Sequence, residues 1–155
     1  RVVRTMPNLP AQVNQGVTAI TAGKSAKPAD VKTAEVIFSR LGKVVQIEED
    51  LMDAVTALSG SGPAYVFLFV ECLIEAGQAV GLSAEAASTL ARQTLKGSLA
   101  LLEDSKEDPA TLRERVTSKG GTTQAALDVF ESKKIRQMFK DALKAAKNRA
   151  KELSK

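Results

Sequence analysis

The rhythm of hydrophobic and polar positions changes once along this chain, near residue 48. Before that point, short apolar runs are punctuated by prolines and glycines. "RVVRTMPNLP" (1–10) reads as a buried strand ended by two prolines, and "GVTAIT" (16–21) as a second strand. Pro28 and Asp30 then open a helix carrying Val31, Ala34, Ile37, Phe38 and Leu41, with Gly42 as its stop. "VVQI" (44–47) reads as a third, short strand. Two or three strands and one helix cannot bury both faces of a sheet. Residues 1–48, which do not open with Met, are therefore expected to be the tail of a larger α/β domain whose earlier strands lie outside the chain.

From Glu49 to residue 155 the pattern is helical throughout. "EEDLMDAVTAL" (48–58) predicts a short helix, and "SGSGP" (59–63) a turn with Pro63 in the first turn of the next helix. That helix, "PAYVFLFVECLIEAGQAVG" (63–81), is apolar on nearly every side and should be buried all round. Ser83 caps "AEAASTLARQTLKGSLALLED", whose small residues permit close helix approach. Asp108 and Pro109 begin "PATLRERV", and two further helices follow the loop "TSKGGTT" (117–123). About 105 residues in six helices should not need one helix covered on every side. A second chain is the economical cover, so an intertwined homodimer, open to assembly into larger sets of dimers, is expected.

Composition narrows this picture. Apolar residues make up 44% of the 155 residues and charged residues 26%, an ordinary globular balance. The single cysteine, Cys72 in "VECLI", reads as a buried thiol in a reducing, cytoplasmic setting. No signal peptide is visible, and the longest uncharged run, Ala54 to Val70, is interrupted by "SGSGP", so no membrane span is expected. The absence of histidine excludes imidazole catalysis and ordinary zinc sites, and no metal is expected. The net charge of +4 is uneven: from Lys133 onward nine Lys/Arg face two Asp/Glu. There Ile135, Met138, Phe139, Ala142, Leu143 and Ala146 form one helical stripe with the lysines opposite, and no aromatics are interleaved to stack on bases. A solvated amphipathic helix fits better than a nucleic-acid surface.

Two stretches carry candidate chemistry. In "TSKGGTT", Gly120 and Gly121 are expected in backbone conformations closed to other residues. The N–H groups of Gly121, Thr122 and Thr123 then lie in a first helical turn, where a carboxylate or phosphate is the natural occupant. The plainer structural reading makes Thr122 or Thr123 an ordinary helix cap, yet Thr117, Ser118, Thr122 and Thr123 offer more hydroxyls than one cap needs. "LSGSGP" (58–63) repeats the glycine–hydroxyl theme, with a tight corner capped by Ser61 as the alternative. It is not a dinucleotide fingerprint, because Tyr65 stands where a third glycine would be and no strand precedes it. The acidic "EED" (48–50) can equally be a solvated helix start.

"RVVRTMPNLP", "EEDLMDAVTALSGSGPAYVF" and "TSKGGTT", in colinear order along the whole chain, resemble the pyrroline-5-carboxylate reductases. The resemblance implies reduction of Δ1-pyrroline-5-carboxylate to L-proline with NADPH or NADH. It also implies a Rossmann domain followed by an all-helical dimerisation domain. The expected fold is thus mainly α, with residues 1–48 the remnant of the dinucleotide-binding domain and 49–155 the dimerisation and substrate-binding domain. The chain alone is expected to be inactive. The resemblance puts Glu49, Val116, Ser118, Gly120, Gly121 and the backbone of Thr122 in the substrate site, and the Thr123 hydroxyl, as the catalytic group, against the ring nitrogen. Thr56, Ser61 and the Ser59–Gly62 turn fall near the meeting of nicotinamide and substrate ring, with Asn8 near the same crevice. Arg115 falls toward the cofactor, where relatives can use asparagine; Lys119 replaces a usual proline, and Leu9 a frequent threonine. The rival readings are a non-catalytic helical dimerisation module and a β-hydroxyacid dehydrogenase. The latter relies on a lysine in a buried helix centre, and no such isolated lysine is evident.

Overall fold

The computed structural model describes residues 1–154. They form two compact units, Phe67–Met138 and a second made of Arg1–Val66 with the chain from Phe139 onward.

In the latter unit a three-stranded sheet has β2 (Gly16–Ala22) at its centre. β1 (Val3–Met6) lies antiparallel to it, with Val3 opposite Ala22, and β3 (Gly42–Gln46) lies parallel, with Gly16 opposite Gly42. Covered from both sides, β2 supplies Ile20, which is wholly buried, and Thr18 to the core. α1 (Pro28–Phe38) begins where expected, the Lys27 N–H donating to Asp30 Oδ2 at 2.8 Å. Its end differs from the expectation. The helix stops at Phe38, and Gly42 is instead the first residue of β3 (Gly42–Gln46). Gly42 has φ +141°, and a Cβ on it would lie 1.9 Å from the Gly16 carbonyl oxygen. Sheet register, not helix termination, requires this glycine. Gly42→Ala should therefore cost about 1–3 kcal/mol, measured by urea unfolding; a loss below about 0.5 kcal/mol would mean that the strands part without strain.

After the sheet the backbone coils at three successive pitches. Glu49–Leu51 is a 3₁₀ turn, α2 is Met52–Val55, and Thr56–Gly60 is a π turn in which the Ser61 N–H reaches back to the Thr56 carbonyl at 2.9 Å. α3 (Gly62–Ala79) follows directly, and Ser61 keeps helical dihedrals (φ −82°, ψ −18°). The turn expected at "SGSGP" thus widens the helix without reversing it, and Ser61 does not cap a corner. With the interruption gone, the helical run Glu49–Ala79 is long and apolar enough to cross a membrane by length and composition.

Within Phe67–Met138, α4 (Ala84–Ser105) is capped by Ser83, which accepts from the Ala86 N–H at 3.2 Å. α5 (Pro109–Arg115) is capped by Asp108, which accepts from the Ala110 and Thr111 N–H groups and the Thr111 hydroxyl. These bonds, the Thr111 hydroxyl foremost, hold the Asp108 carboxyl below its ordinary pKa. Gly77 of α3 faces Ala87 of α4 so closely that a Cβ would stand 3.1 Å from the Ala87 methyl. α6 (Thr122–Ser132) and α7 (Ile135–Leu153) complete the order, α7 passing into the other unit; Lys155 lies outside the described residues. No residue of α3 is buried in the single chain, and Phe67 and Leu68 keep 52% and 58% of their surface exposed. Cys72, expected as a buried thiol, is exposed on this same helix.

Candidate active site

The predicted site residues fall into two groups, one in each unit. The first surrounds the start of α6. α5 runs out at Arg115, where the Thr117 hydroxyl donates to the Arg113 carbonyl at 2.6 Å and the Thr117 N–H to the Glu114 carbonyl at 3.0 Å. That hydroxyl closes α5 and is not free for a ligand. Val116 and Ser118 are exposed, and Arg115 pairs with Glu107 at 2.7 Å.

The two glycines of the loop are needed for different reasons. Gly120 alone has left-handed backbone, φ +72°. Gly121 is extended, but a Cβ there would fall 2.3 Å from Ser118 Oγ. The Gly121 N–H, expected to be open to a ligand, donates to the Ser118 carbonyl at 3.0 Å. Gly121 is itself the N-cap of α6, so no side chain caps this helix and neither Thr122 nor Thr123 serves as its cap. The first-turn N–H groups of Thr122, Thr123 and Gln124 are left without helical acceptors by the geometry of a helix start. Among the described residues the Thr122 and Thr123 hydroxyls have no hydrogen-bond partner; Thr122 is exposed and Thr123 half-buried. The arrangement presents an ensemble of donors with partial positive charge, suited to a carboxylate beside a hydroxyl-binding atom.

The second group lies where the sheet meets the coiled segment. The Arg4 guanidinium of β1 pairs with the Glu49 carboxylate. The Thr56 hydroxyl donates to the Met52 carbonyl at 2.9 Å and that of Ser59 to Val55 at 3.1 Å, so both are held by their own helix. Asn8 does not point freely into a crevice: Nδ2 donates to the Ser59 carbonyl at 3.1 Å, and Oδ1 accepts from the Val17 N–H at 2.9 Å. Two residues here escaped the sequence reading, Arg4 and Tyr65, whose hydroxyl donates to the Ala57 carbonyl at 3.1 Å. A period of two along "RTMPN" could have shown Arg4, Met6 and Asn8 on one face; nothing local marks Tyr65.

Comparison with known proteins gives the class first. A family model described as pyrroline-5-carboxylate reductase dimerisation matches residues 49–153, so the helical region is a dimerisation domain. The chain belongs to the pyrroline-5-carboxylate reductase family. It is 46% identical to a pyrroline-5-carboxylate reductase of Synechocystis sp. over 99% of this chain and 58% of that one. A Methanosarcina acetivorans enzyme of the same description is 43% identical over 100% and 57%. Among solved structures, a pyrroline-5-carboxylate reductase from Coxiella burnetii superposes with a TM-score of 0.94 at 44% identity, covering 100% of this chain and 58% of that one. A Plasmodium falciparum pyrroline carboxylate reductase with NADP bound gives 0.93 at 35% identity, over 100% and 64%. The chain therefore spans less than two thirds of these relatives. The mainly helical fold after a small α/β part is as expected.

Proposed function

We propose that this chain is the substrate-binding and dimerising part of an enzyme that reduces Δ1-pyrroline-5-carboxylate to L-proline with NADPH or NADH. Residues 1–48 belong to its dinucleotide-binding domain and 49–155 to its helical domain, and it works as a cytoplasmic homodimer. The observation that carries the reading is the uncapped start of α6, with open N–H groups and two threonine hydroxyls that have no partner among the described residues, in a chain of this family.

The first-turn N–H groups hold the substrate carboxylate, and the carboxylate's charge suits the helix start. The Thr123 hydroxyl donates to the ring nitrogen. The nicotinamide would supply the hydride to the C=N carbon when bound, and the nitrogen takes up a proton from solvent as the double bond becomes single. Thr56 and Ser61 line the cofactor side. Glu49, steadied by Arg4, is the candidate substrate residue of the Arg1–Val66 unit, and Lys119 adds a cation beside the carboxylate at the start of α6.

The full-length protein should oxidise NADPH when given pyrroline-5-carboxylate. Residues 1–155 alone should not, and in a thermal-shift titration they should respond weakly to proline and not to NADPH. An inactive full-length enzyme would sink the reading; a strong NADPH shift in the short chain would sink the division of labour.

A further inference from the structure

The π turn at Thr56–Gly60 leaves carbonyls that its own helix cannot satisfy. In a continuous α-helix the Ser59 carbonyl would accept from the N–H of residue 63, but Pro63 has none. Asn8 Nδ2 donates to it from the sheet. The Ala57 carbonyl would accept from Ser61, whose N–H goes to Thr56; the Tyr65 hydroxyl donates there instead. The Asn8 amide has one workable orientation, because its oxygen must meet the Val17 N–H and its nitrogen the Ser59 carbonyl. Met6 closes the same side, with its methyl 3.4 Å from where a Gly60 Cβ would stand. Two side chains and a packed methyl thus fix a backbone shape that is rare in helices and frequent at functional sites.

We propose that Asn8 and Tyr65 are positioning residues for the reaction: together they clamp the 56–62 backbone in its widened form and so set where Thr56 and Ser61 meet the nicotinamide. The proposal rests on the reductase reading above. Neither residue touches substrate or cofactor in this role. Loosening the clamp misaligns the hydride donor and acceptor and leaves the helix itself intact.

The test uses the full-length enzyme with Asn8→Asp and Tyr65→Phe. Asn8→Asp keeps the acceptor for Val17 but sets a carboxylate oxygen against the Ser59 carbonyl. Tyr65→Phe removes only the hydroxyl. The readouts are kcat, KM, melting temperature and the primary isotope effect with nicotinamide-deuterated NADPH. Each variant should lose roughly ten- to a hundredfold in kcat and show a larger isotope effect. A purely structural role would lower the melting temperature and leave kcat per folded enzyme and the isotope effect unchanged, which overturns the proposal. Should Asn8→Asp fail to fold, Tyr65→Phe decides on the same readouts. Failure of the parent enzyme to reduce pyrroline-5-carboxylate defeats the reductase reading, whereas an active parent with indifferent variants defeats the clamp alone.

Discussion

Thr123→Ala in the full-length enzyme is expected to lower kcat/KM by about one to three powers of ten, the range for losing one positioned donor near a reacting atom. The melting temperature should stay close to the parent's. Both halves follow from the start of α6. Its cap is Gly121, which has no side chain, and the Thr123 hydroxyl has no partner among the described residues. Removing that hydroxyl breaks no bond of the fold. A capping threonine would behave in the opposite way, losing about 1 kcal/mol of stability and keeping its turnover. Thr117→Ala is the internal contrast, since its hydroxyl closes α5 on the Arg113 carbonyl. It should shift stability and spare kcat. Kinetics and melting curves on the same samples settle the matter; normal turnover in Thr123→Ala would remove the residue from the chemistry.

The second large effect is expected at α3. Phe67→Asp should abolish the folded dimer and yield no well-behaved monomer. Phe67, Leu68, Val66 and Phe69 are all exposed in the single chain, and no residue of this 18-residue helix is buried. Each such side chain is worth about 1.5–3 kcal/mol when fully removed from water. Several together rival the whole stability of an ordinary domain, roughly 5–15 kcal/mol. A partner chain on this face is therefore expected to be part of the fold, and an aspartate within it would leave a charge with no counter-ion. Light scattering and circular dichroism at micromolar concentration test this directly. A folded monomer, in either the parent or the variant, would contradict the coupling of folding and assembly.

What the sequence disclosed depended on how local the cause was. Ser83 and Asp108 bond N–H groups two or three residues away, so their caps could be read from the residue order alone. The open start of α6 was half legible: the glycines and hydroxyls were plain, but their allocation was not. Thr117 turns back to α5 and Ser118 crowds Gly121, and only backbone geometry reveals either. Gly42 misled because glycine both ends helices and begins crowded strands; its neighbour Gly16, 26 residues earlier in sequence, decides which. The widened helix at 56–60 was illegible for the same reason, since Asn8 lies 51 residues from the carbonyl it satisfies. Cys72 has apolar neighbours in the sequence, which suggest burial, yet it lies on a helix that the chain itself does not cover.

The π turn also has a consequence for how this segment tolerates change in length. Its i→i−5 bond accommodates one residue more than an α-helical ladder would between the same ends. Losing any one residue from 56 to 60 would restore regular pitch between the same ends, whereas losing a second would turn the side chains that follow by about 100° around the axis. With that second loss Tyr65 would leave its present azimuth, and the bond from its hydroxyl to the Ala57 carbonyl would go with it. The fold of this segment should therefore survive the loss of one codon here far better than the loss of two.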